Sequence, residues 1–256
     1  MTSITALLAS AKPVEGGFST EIPANWLQGR TAYGGLSAAL ALDAAVRLAD
    51  DLPPLRSAQI AFIGPLSGEV NVTASLLRRG RNAAFIQSDI VSEAGLGFRA
   101  TFVFMTSRDS AVAHDATAPA PIAPPPGDAK LYVGPDNFFT SNFEFFDPKA
   151  DLGPAEWLRW GRLREREGLH PMVELMAIGD GLPPGAFKLF GKPTPLSSLN
   201  WQINFLDPAP VTQDGWWLLG AASDHAQGGY SSQRMTIWNA DGALVAEAMQ
   251  AVAIFG

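Results

Sequence analysis

The sequence contains no cysteine, and this absence excludes several kinds of chemistry. Without a thiol the chain can form no disulfide, no thiolate metal site and no cysteine nucleophile. Histidine is scarce as well, and the three histidines provide no clustered ligand set for a zinc hydrolase. His114, His170 and His225 lie in a linker, before a proline and at a strand end, and no Gly-x-Ser-x-Gly motif is present. A serine hydrolase is therefore not indicated.

Positive charge is also in short supply, since 18 lysines and arginines face 25 acidic residues, a net charge of −7. Binding to a phosphate backbone needs a basic surface, so nucleic acid is not an expected partner. The most apolar helical run, Leu36–Leu48, carries Asp43 and Arg47 and is too short to cross a bilayer. Residues 1–12 lack the basic and apolar segments of a secretory signal. We therefore expect no membrane span and a cytoplasmic location.

Hydrophobic residues make up 47% of the 256 residues, and two short segments each recur once further along the chain; we call these recurrences echoes. Gln59–Pro65 (QIAFIGP) recurs as Gln202–Pro208 (QINFLDP), with four of seven positions identical, 143 residues further on. Just upstream of each, Asp50–Pro54 (DDLPP) recurs as Asp180–Pro184 (DGLPP), 130 residues further on. Two matches in the same order indicate that the chain contains two copies of one unit.

The first copy is predicted to be a helix followed by an antiparallel meander. A short strand at Phe18–Ile22 and a loop at Trp26–Tyr33 come first. Helix-forming residues then run from Gly34-Gly35 to Asp51, where two prolines follow. Four strand-like runs complete this α+β unit: Ser57–Ile63, Glu69–Arg78, Ala83–Ser92 and Gly97–Thr106.

The second copy repeats this order with one addition. A helix is predicted at Pro171–Gly179, and strands at Phe138–Phe146, Trp157–Arg164, Ser198–Phe205, Trp216–Asp224, Tyr230–Trp238 and Leu244–Phe255. Between the two echoes this copy carries 13 extra residues, Gly185 to about Leu196, and such an extra loop is a common place for function. The predicted domains are residues 1–110 and 131–256, joined by an Ala/Pro-rich linker at 111–130.

A glycine-started helix inside a curled antiparallel sheet, occurring twice, resembles the double hotdog fold. The ordered set of Gly34-Gly35, Asp180 with Leu182-Pro183, Ser198 and Gln250 resembles the acyl-CoA thioesterase II (TesB-like) family from about Phe18 to Phe255. The resemblance implies an enzyme of fatty acid metabolism that hydrolyses acyl-CoA thioesters without a cofactor. It also implies that Asp180, Ser198 and Gln250 surround a catalytic water, with Ser197 replacing Ser198 if the strand register slips by one.

The repeat suggests that only one copy is catalytic. By sequence spacing Ser198 corresponds to Leu55, Gln250 to Val103 and Asp180 to Asp50. Two of the three polar residues thus correspond to apolar residues in the first copy, as expected where one of two related sites has been lost.

Thioester hydrolysis needs an oriented water, a group that takes its proton and donors for the oxyanion. We assign Asp180 as the base, Ser198 and Gln250 as the groups that position the water, and backbone N–H groups at Gly34 and Gly35 as oxyanion donors. Each residue has a structural alternative. Asp180 could simply occupy a turn after a helix, Ser198 could begin a strand, and the two glycines could allow close packing of the helix. Gln250 is different, because a polar amide in an apolar strand must find a hydrogen-bond partner.

Arg78, Arg79 and Arg81 form the densest basic cluster. They are predicted either to clamp the phosphates of coenzyme A or to form a solvated hairpin loop. An enoyl-CoA hydratase of the same fold would need an Asp and a His at a helix start, and neither helix provides that pair. The remaining alternative is a catalytically silent acyl-CoA or lipid-binding protein, in which the tunnel is kept without the chemistry. Exposed sheet edges favour a homo-oligomer.

Overall fold

The structure, a computed structural model, describes residues 1–192 and 194–256. Three α-helices lie in this part of the chain: α1 (Ile4–Ser10), α2 (Gly34–Val46) and α3 (Pro171–Gly179). The strands of the first half are β1 (Lys12–Val14), β2 (Gly17–Ile22), β3 (Leu27–Gln28), β4 (Thr31–Ala32), β5 (Leu55–Phe62), β6 (Gly68–Arg79), β7 (Ala83–Ser92) and β8 (Gly95–Met105). Those of the second half are β9 (Phe143–Phe146), β10 (Glu156–Leu163), β11 (Leu196–Phe205), β12 (Trp217–Gln227), β13 (Tyr230–Asn239) and β14 (Leu244–Ile254).

All strands except the β3–β4 hairpin join one antiparallel sheet of twelve strands. Their order is β1-β2-β6-β7-β8-β5-β11-β14-β13-β12-β10-β9, so the two halves meet at the central pair β5–β11. In that pair Gln59 lies directly opposite Gln202. The antiparallel pairing is centred on these two equivalent residues, which places a local twofold axis between them, and the offset of 143 residues inferred for these strands is confirmed.

The two central helices are buried inside this sheet and packed on each other. α2 contacts β6, β7 and β8, while α3 contacts β10, and the two helices lie together at the axis. In α2 every residue from Gly35 to Ala45 except Asp43 is buried. Since small side chains predominate on α2, neighbouring backbones can come very close.

At the crossing of the helices, the start of α2 meets the end of α3. A side chain at Gly35 would bring its Cβ atom within 2.4 Å of the Ala177 carbonyl oxygen, so this contact requires glycine. The hydroxyl of Tyr33, the residue just before α2, donates a hydrogen bond of 2.8 Å to the same oxygen. Because the two helices cross in antiparallel directions, the start of α2 lies beside the end of α3.

Several elements differ from the sequence-based expectation. The N-terminal residues form α1, whose Ile4 and Leu7 are buried, and the loop predicted at Trp26–Tyr33 contains the β3–β4 hairpin. The strand predicted from Phe138 begins only at Phe143. Residues before it form a 3-10 turn, because the Asn142 amide donates a hydrogen bond of 2.6 Å to the Asn25 carbonyl and holds the turn against the first half.

Candidate active site

Asp180 lies at the junction of the two helices. It is the C-terminal cap of α3, and the N–H of Gly35 in the first turn of α2 donates a hydrogen bond to its carboxylate. A Cβ atom on Gly34 would lie 2.5 Å from Asp180 Oδ2, so glycine leaves the space in front of this oxygen open. The structure thus brings Gly34 and Gly35 to Asp180, as a contact between the two copies.

Gln250 is the second predicted residue that the structure brings to Asp180. It lies on the inward face of β14, buried to 3% exposure, directly opposite Trp201 of β11. Its Nε2 donates a hydrogen bond of 2.9 Å to Asp180 Oδ1. The buried amide thus has the polar partner that its apolar strand required.

Gln233 is a buried polar residue of this site that the sequence reasoning missed. It lies opposite Gln250 on the neighbouring strand β13, and its Nε2 donates a hydrogen bond of 2.5 Å to Gln250 Oε1. Gln233 Oε1 in turn accepts a hydrogen bond of 2.8 Å from the Gly185 N–H. Period-two alternation along β13, with Ser231 and Met235 also buried, was the signal that could have revealed this inward-facing amide.

Ser198 reaches the inner face of the sheet through a β-bulge. The pairing of β11 with β14 shifts by one residue between Ser198 and Asn200. Because of this shift, Ser198 lies on the same inner face of the sheet as Trp201. Ser198 is half-buried and lines the pocket beside Asp180. Its neighbour Ser197, the alternative hydroxyl, is exposed but also lines this pocket, and its hydroxyl donates to the Ser198 carbonyl at 3.3 Å. Within the described part of the chain, no hydrogen bond joins the Ser198 hydroxyl to Asp180 or Gln250.

A pocket of about 400 Å³ opens in front of Asp180. Its wall combines the start of α2, the end of β5 and the start of β11, and includes Gly34, Ser37, Phe62, Leu66, Phe98, Leu196 and Ser198. Because these segments come from both copies, neither half forms the pocket alone. The mixture of apolar walls and a single carboxylate suits a substrate with an apolar chain and a reactive polar group.

Burial raises the pKa of Asp180 to about 7, although the Gln250 amide and the Gly35 N–H both favour the charged form. The Tyr33 phenol, the other titratable group close by, has a pKa raised well above 10 by burial, with the Asp180 charge adding to it. Tyr33 therefore stays a neutral hydrogen-bond donor, and Asp180 changes its charge near neutral pH. A carboxylate with such a pKa is suited to act as a general base.

A second cavity of about 240 Å³ occupies the position related to this pocket by the local twofold axis. Its walls include Leu42, Leu55, Phe104, His170 and Met172. The predicted pairing of Ser198 with Leu55 is confirmed, because β5 has the same bulge, between Leu55 and Ser57.

Two other equivalences inferred from sequence spacing are wrong. Trp201 faces Gln250 and its counterpart Ala58 faces Phe102, so the counterpart of Gln250 is Phe102 rather than Val103. Counting from the helix starts, Gly34 and Pro171, the counterpart of Asp180 is Asp43 rather than Asp50, which is exposed. The loops between helix and strand differ in length between the copies, which misled the count to Asp180. The count to Gln250 started from the hairpin glycines Gly95 and Gly242, whose positions relative to the strands differ by one residue between the copies.

The second cavity therefore keeps an aspartate but not its surroundings. Asp43 Oδ2 is paired with Arg47 Nε at 2.6 Å, and the helix facing it begins with Pro171, which has no N–H. With leucine and phenylalanine in place of Ser198 and Gln250, this cavity lacks the groups that surround Asp180. One site per chain is the arrangement expected from the sequence asymmetry.

Arg78, Arg79 and Arg81 lie at the opposite end of the sheet from Asp180. Across the sheet, Arg79 of β6 lies opposite Ala84 of β7, and Ala84 lies opposite Phe104 of β8, which lines the second cavity. Arg79 also forms a salt bridge with Asp51, with 3.0 Å between Nη2 and Oδ2. The Asp180 pocket is at the other end of β5, roughly 23 Å along the strand. This placement argues against these arginines as the phosphate clamp for a substrate bound at Asp180.

Within residues 1–192 and 194–256, no group of three or more His, Asp or Glu side chains is placed to hold a metal ion. No helix in the same part of the chain is long and apolar enough to span a bilayer.

Comparisons with known proteins agree with this geometry. The sequence matches the family model for the acyl-CoA thioesterase N-terminal domain over residues 22–105 and that for the acyl-CoA thioesterase C-terminal domain over residues 114–254. A comparison with functionally curated proteins returned no significant match.

Solved structures share the whole fold. A hot dog fold protein of unknown function from Alicyclobacillus acidocaldarius is 21% identical with a TM-score of 0.85, covering 100% of this chain and 99% of its own. The tesB protein of Mycobacterium avium subs paratuberculosis is 20% identical with a TM-score of 0.80, covering 100% of both chains. The acyl-CoA thioesterase II TesB2 of Mycobacterium marinum is 18% identical with a TM-score of 0.74, covering 98% of this chain and 96% of its own. The predicted double hotdog fold is confirmed.

Proposed function

Because the chain belongs to the acyl-CoA thioesterase family and is a thioester hydrolase, we propose that it hydrolyses an acyl-CoA thioester in the pocket beside Asp180. The products are a carboxylic acid and free coenzyme A. The observation that carries the proposal is the hydrogen bond of 2.9 Å from Gln250 Nε2 to Asp180 Oδ1 at the inner end of that pocket. It joins two of the residues expected to act together.

In this mechanism Asp180 takes a proton from water while the water oxygen adds to the thioester carbonyl carbon. Gln250, which the sequence suggested as a second group to position the water, instead holds the carboxylate together with the Gly35 N–H. Ser198 on the pocket wall helps to position the water. The tetrahedral intermediate then breaks its C–S bond, and the thiolate recovers the proton from Asp180. No covalent acyl-enzyme forms, so a single oriented water is sufficient.

The start of α2 supports the negative charge that develops on the carbonyl oxygen. Since the Gly35 N–H is directed at Asp180, the oxyanion role falls to Gly34, which borders the pocket. The N–H groups of a first helical turn lack intrahelical partners, and the helix dipole favours an anion there. The absence of a side chain at Gly34 allows a close approach of the substrate.

The substrate's acyl chain suits the apolar wall of the pocket, formed in part by Phe62, Leu66 and Phe98. A fatty acyl chain is the apolar group that such a wall favours, which would place the enzyme in fatty acid metabolism. The cytoplasmic location stays a prediction.

The test compares Asp180→Asn with Asp43→Asn, its counterpart at the second cavity. We expect Asp180→Asn to lower the release of free thiol from acyl-CoA by roughly 10²–10⁴-fold, because the base is lost. Asp43→Asn should hydrolyse acyl-CoA at close to the wild-type rate. Thiol release is measured over a panel of acyl chain lengths, and acyl-CoA binding by calorimetry.

Binding should survive in Asp180→Asn, since asparagine keeps the size of aspartate. Full activity in Asp180→Asn would remove Asp180 from the mechanism. A wild-type protein that binds every acyl-CoA of the panel but releases no thiol would instead indicate the silent binding protein.

A further inference from the structure

Three successive hydrogen bonds connect the backbone of the extra loop to the carboxylate of Asp180. The Gly185 N–H donates to Gln233 Oε1 at 2.8 Å, and Gln233 Nε2 donates to Gln250 Oε1 at 2.5 Å. Gln250 Nε2 then donates to Asp180 Oδ1 at 2.9 Å. All three bonds run in the same direction, from donor to acceptor toward Asp180, and we call them the amide relay.

The direction of the relay matters because a glutamine amide has two different ends. One end is a carbonyl oxygen that only accepts, and the other is an NH₂ group that only donates. If the Gln250 amide were reversed, its oxygen would face the Asp180 carboxylate, and two acceptors would repel each other. Something must therefore hold the amide the right way round.

The Gly185 N–H supplies this direction, because a backbone amide nitrogen can only donate. It requires an oxygen from Gln233, which turns the Gln233 NH₂ toward Gln250. The Gln250 oxygen must then face Gln233, and its NH₂ faces Asp180. Gln233 is 1% exposed and Gln250 is 3% exposed, so water does not compete for these bonds.

Gly185 is itself held in place by the second copy. A Cβ atom at this residue would lie 2.3 Å from the Ala155 carbonyl oxygen, so the backbone packs directly on the start of β10. The next residue, Ala186, donates its N–H to Ser223 Oγ at 3.1 Å. The relay therefore begins at a rigid point on the sheet.

The first copy has neither the extra loop nor the relay. The cross-strand partner of Phe102, the counterpart of Gln250, is Ile86. Hence the counterparts of both glutamines are apolar in the copy whose cavity lacks the catalytic set. Within the described residues, the relay and the loop occur only in the copy that contains Asp180.

We propose that Gln233 is a positioning residue, which fixes the orientation of the Gln250 amide and thereby the hydrogen bond that holds Asp180 for catalysis. The proposal rests on the proposed function, because it assigns Gln233 a part in the same reaction. Gln233 acts through Gln250 and does not touch the substrate.

A double-mutant cycle tests this role. Gln233→Met keeps the length of the side chain and removes its donor, and Gln250→Met removes the group through which Gln233 acts. We expect each variant to lower kcat by roughly 10- to 100-fold with little change in KM, as for a lost hydrogen bond to a charged group. In the double variant the loss should equal that of Gln250→Met alone.

The pH profile adds a readout that a purely structural role would not move. The Gln250 hydrogen bond lowers the pKa of Asp180, so its loss should raise that pKa. The rise of kcat/KM with pH should then occur at higher pH in both single variants, and by the same amount in the double variant. Ser231→Ala, a buried change on the same strand outside the relay, should keep the wild-type profile.

A second variant covers the case in which Gln233→Met does not fold. Gln233→Glu keeps the shape and the acceptor for Gly185. While its buried carboxyl is protonated it can still donate to Gln250, but once ionised it cannot donate and instead attracts the Gln250 NH₂. We therefore expect Gln233→Glu to retain more activity than Gln233→Met at low pH and to lose this advantage as the pH rises.

The wild-type protein provides an independent measurement. In NMR spectra of glutamine-labelled protein, the side-chain NH₂ signals of Gln250 and Gln233 should both shift as Asp180 titrates, with the larger shift at Gln250. This measurement does not require turnover, so failure of the relay can be told apart from failure of the proposed function. A Gln233 signal that does not move, a wild-type pH profile in Gln233→Met, or losses that multiply in the double variant would overturn the proposal.

Discussion

Burial has the largest effect on the carboxyl group of Asp180, and it outweighs two hydrogen bonds that favour the charge. The group lies between the end of one helix and the start of another, at the inner end of the pocket, where protein atoms replace much of the water that would surround an exposed carboxyl group. Its pKa of about 7 means that the folded protein holds a proton at pH values where the unfolded chain has lost it. Asp180 therefore makes the protein less stable as the pH rises from about 4 to above 7.

This sign gives a prediction for stability. Asp180→Asn should be more stable than the wild type at pH 8 by about 1–3 kcal/mol, because the neutral amide avoids the cost of burying a charge. Near pH 4 the wild-type carboxyl is protonated in the folded state, and the difference should disappear. Urea unfolding at several pH values measures this directly, and equal stability of the two proteins at pH 8 would contradict the assigned burial effect.

At the same scale, the sequence singled out Asp180, Gln250, Ser198, Gly34 and Gly35 as candidates but missed Gln233, which donates a hydrogen bond to Gln250. Gln250 was identifiable because a polar amide in an apolar strand needs a partner. Gln233 was missed because its strand carries polar residues on both faces, so that only the alternation with Met235 and Ile237 indicated its inward direction. The contact between Gly34 and Asp180 also could not be predicted, because the two residues are far apart in sequence.

At the scale of single elements, the crossing of α2 and α3 decides where Asp180 lies. The helix start that faces Asp180 can come so close only because Gly35 has no side chain, and the Ala177 carbonyl occupies the space that a Cβ atom would need. The β-bulge after Ser198 has a comparable effect on the other wall of the pocket, since it returns Ser198 to the inward face.

Gly35→Ala tests the importance of this crossing. The added methyl group would overlap the Ala177 oxygen, so we expect a loss of stability of about 1–3 kcal/mol and a fall in activity as α2 moves from Asp180. Gly80→Ala is a suitable control, because its Cβ would meet its nearest neighbour, the Ala83 oxygen, at an ordinary 3.6 Å. Thermal unfolding and thiol release measure both effects. Unchanged stability in Gly35→Ala would show that the helices can separate without cost.

At the scale of the whole molecule, the local twofold axis gives the chain two related cavities at opposite ends of β5 and β11. One of them holds the polar set around Asp180, and the basic cluster of Arg78, Arg79 and Arg81 lies near the other. A different arginine, Arg30, occupies the tip of the β3–β4 hairpin, between Gln28 and Thr31, which line the Asp180 pocket. Arg30 is therefore the better placed cation for the phosphates of coenzyme A.

Two variants separate these possibilities. Arg30→Ala should raise KM for acyl-CoA by roughly 2- to 10-fold, as expected for the loss of one exposed charged contact, and leave kcat nearly unchanged. Removing Arg78 and Arg81 together should leave KM unchanged, because both lie at the far end of the sheet. An acyl-pantetheine substrate, which lacks the nucleotide, should not distinguish Arg30→Ala from the wild type. If instead the loss of Arg78 and Arg81 raised KM, the substrate would have to extend toward the second cavity.

The sequence by itself determined the repeat, the order of helices and strands and the residue types available for catalysis, because these follow from local periodicity and from short segments that recur along the chain. The tertiary structure alone decided which helix start faces Asp180, which aspartate is its counterpart, and where the arginines lie. These depend on the strand register across β5–β11 and on loops of unequal length, and neither is encoded in local sequence patterns. A pocket formed between two copies of one unit therefore becomes visible only when the copies are placed together.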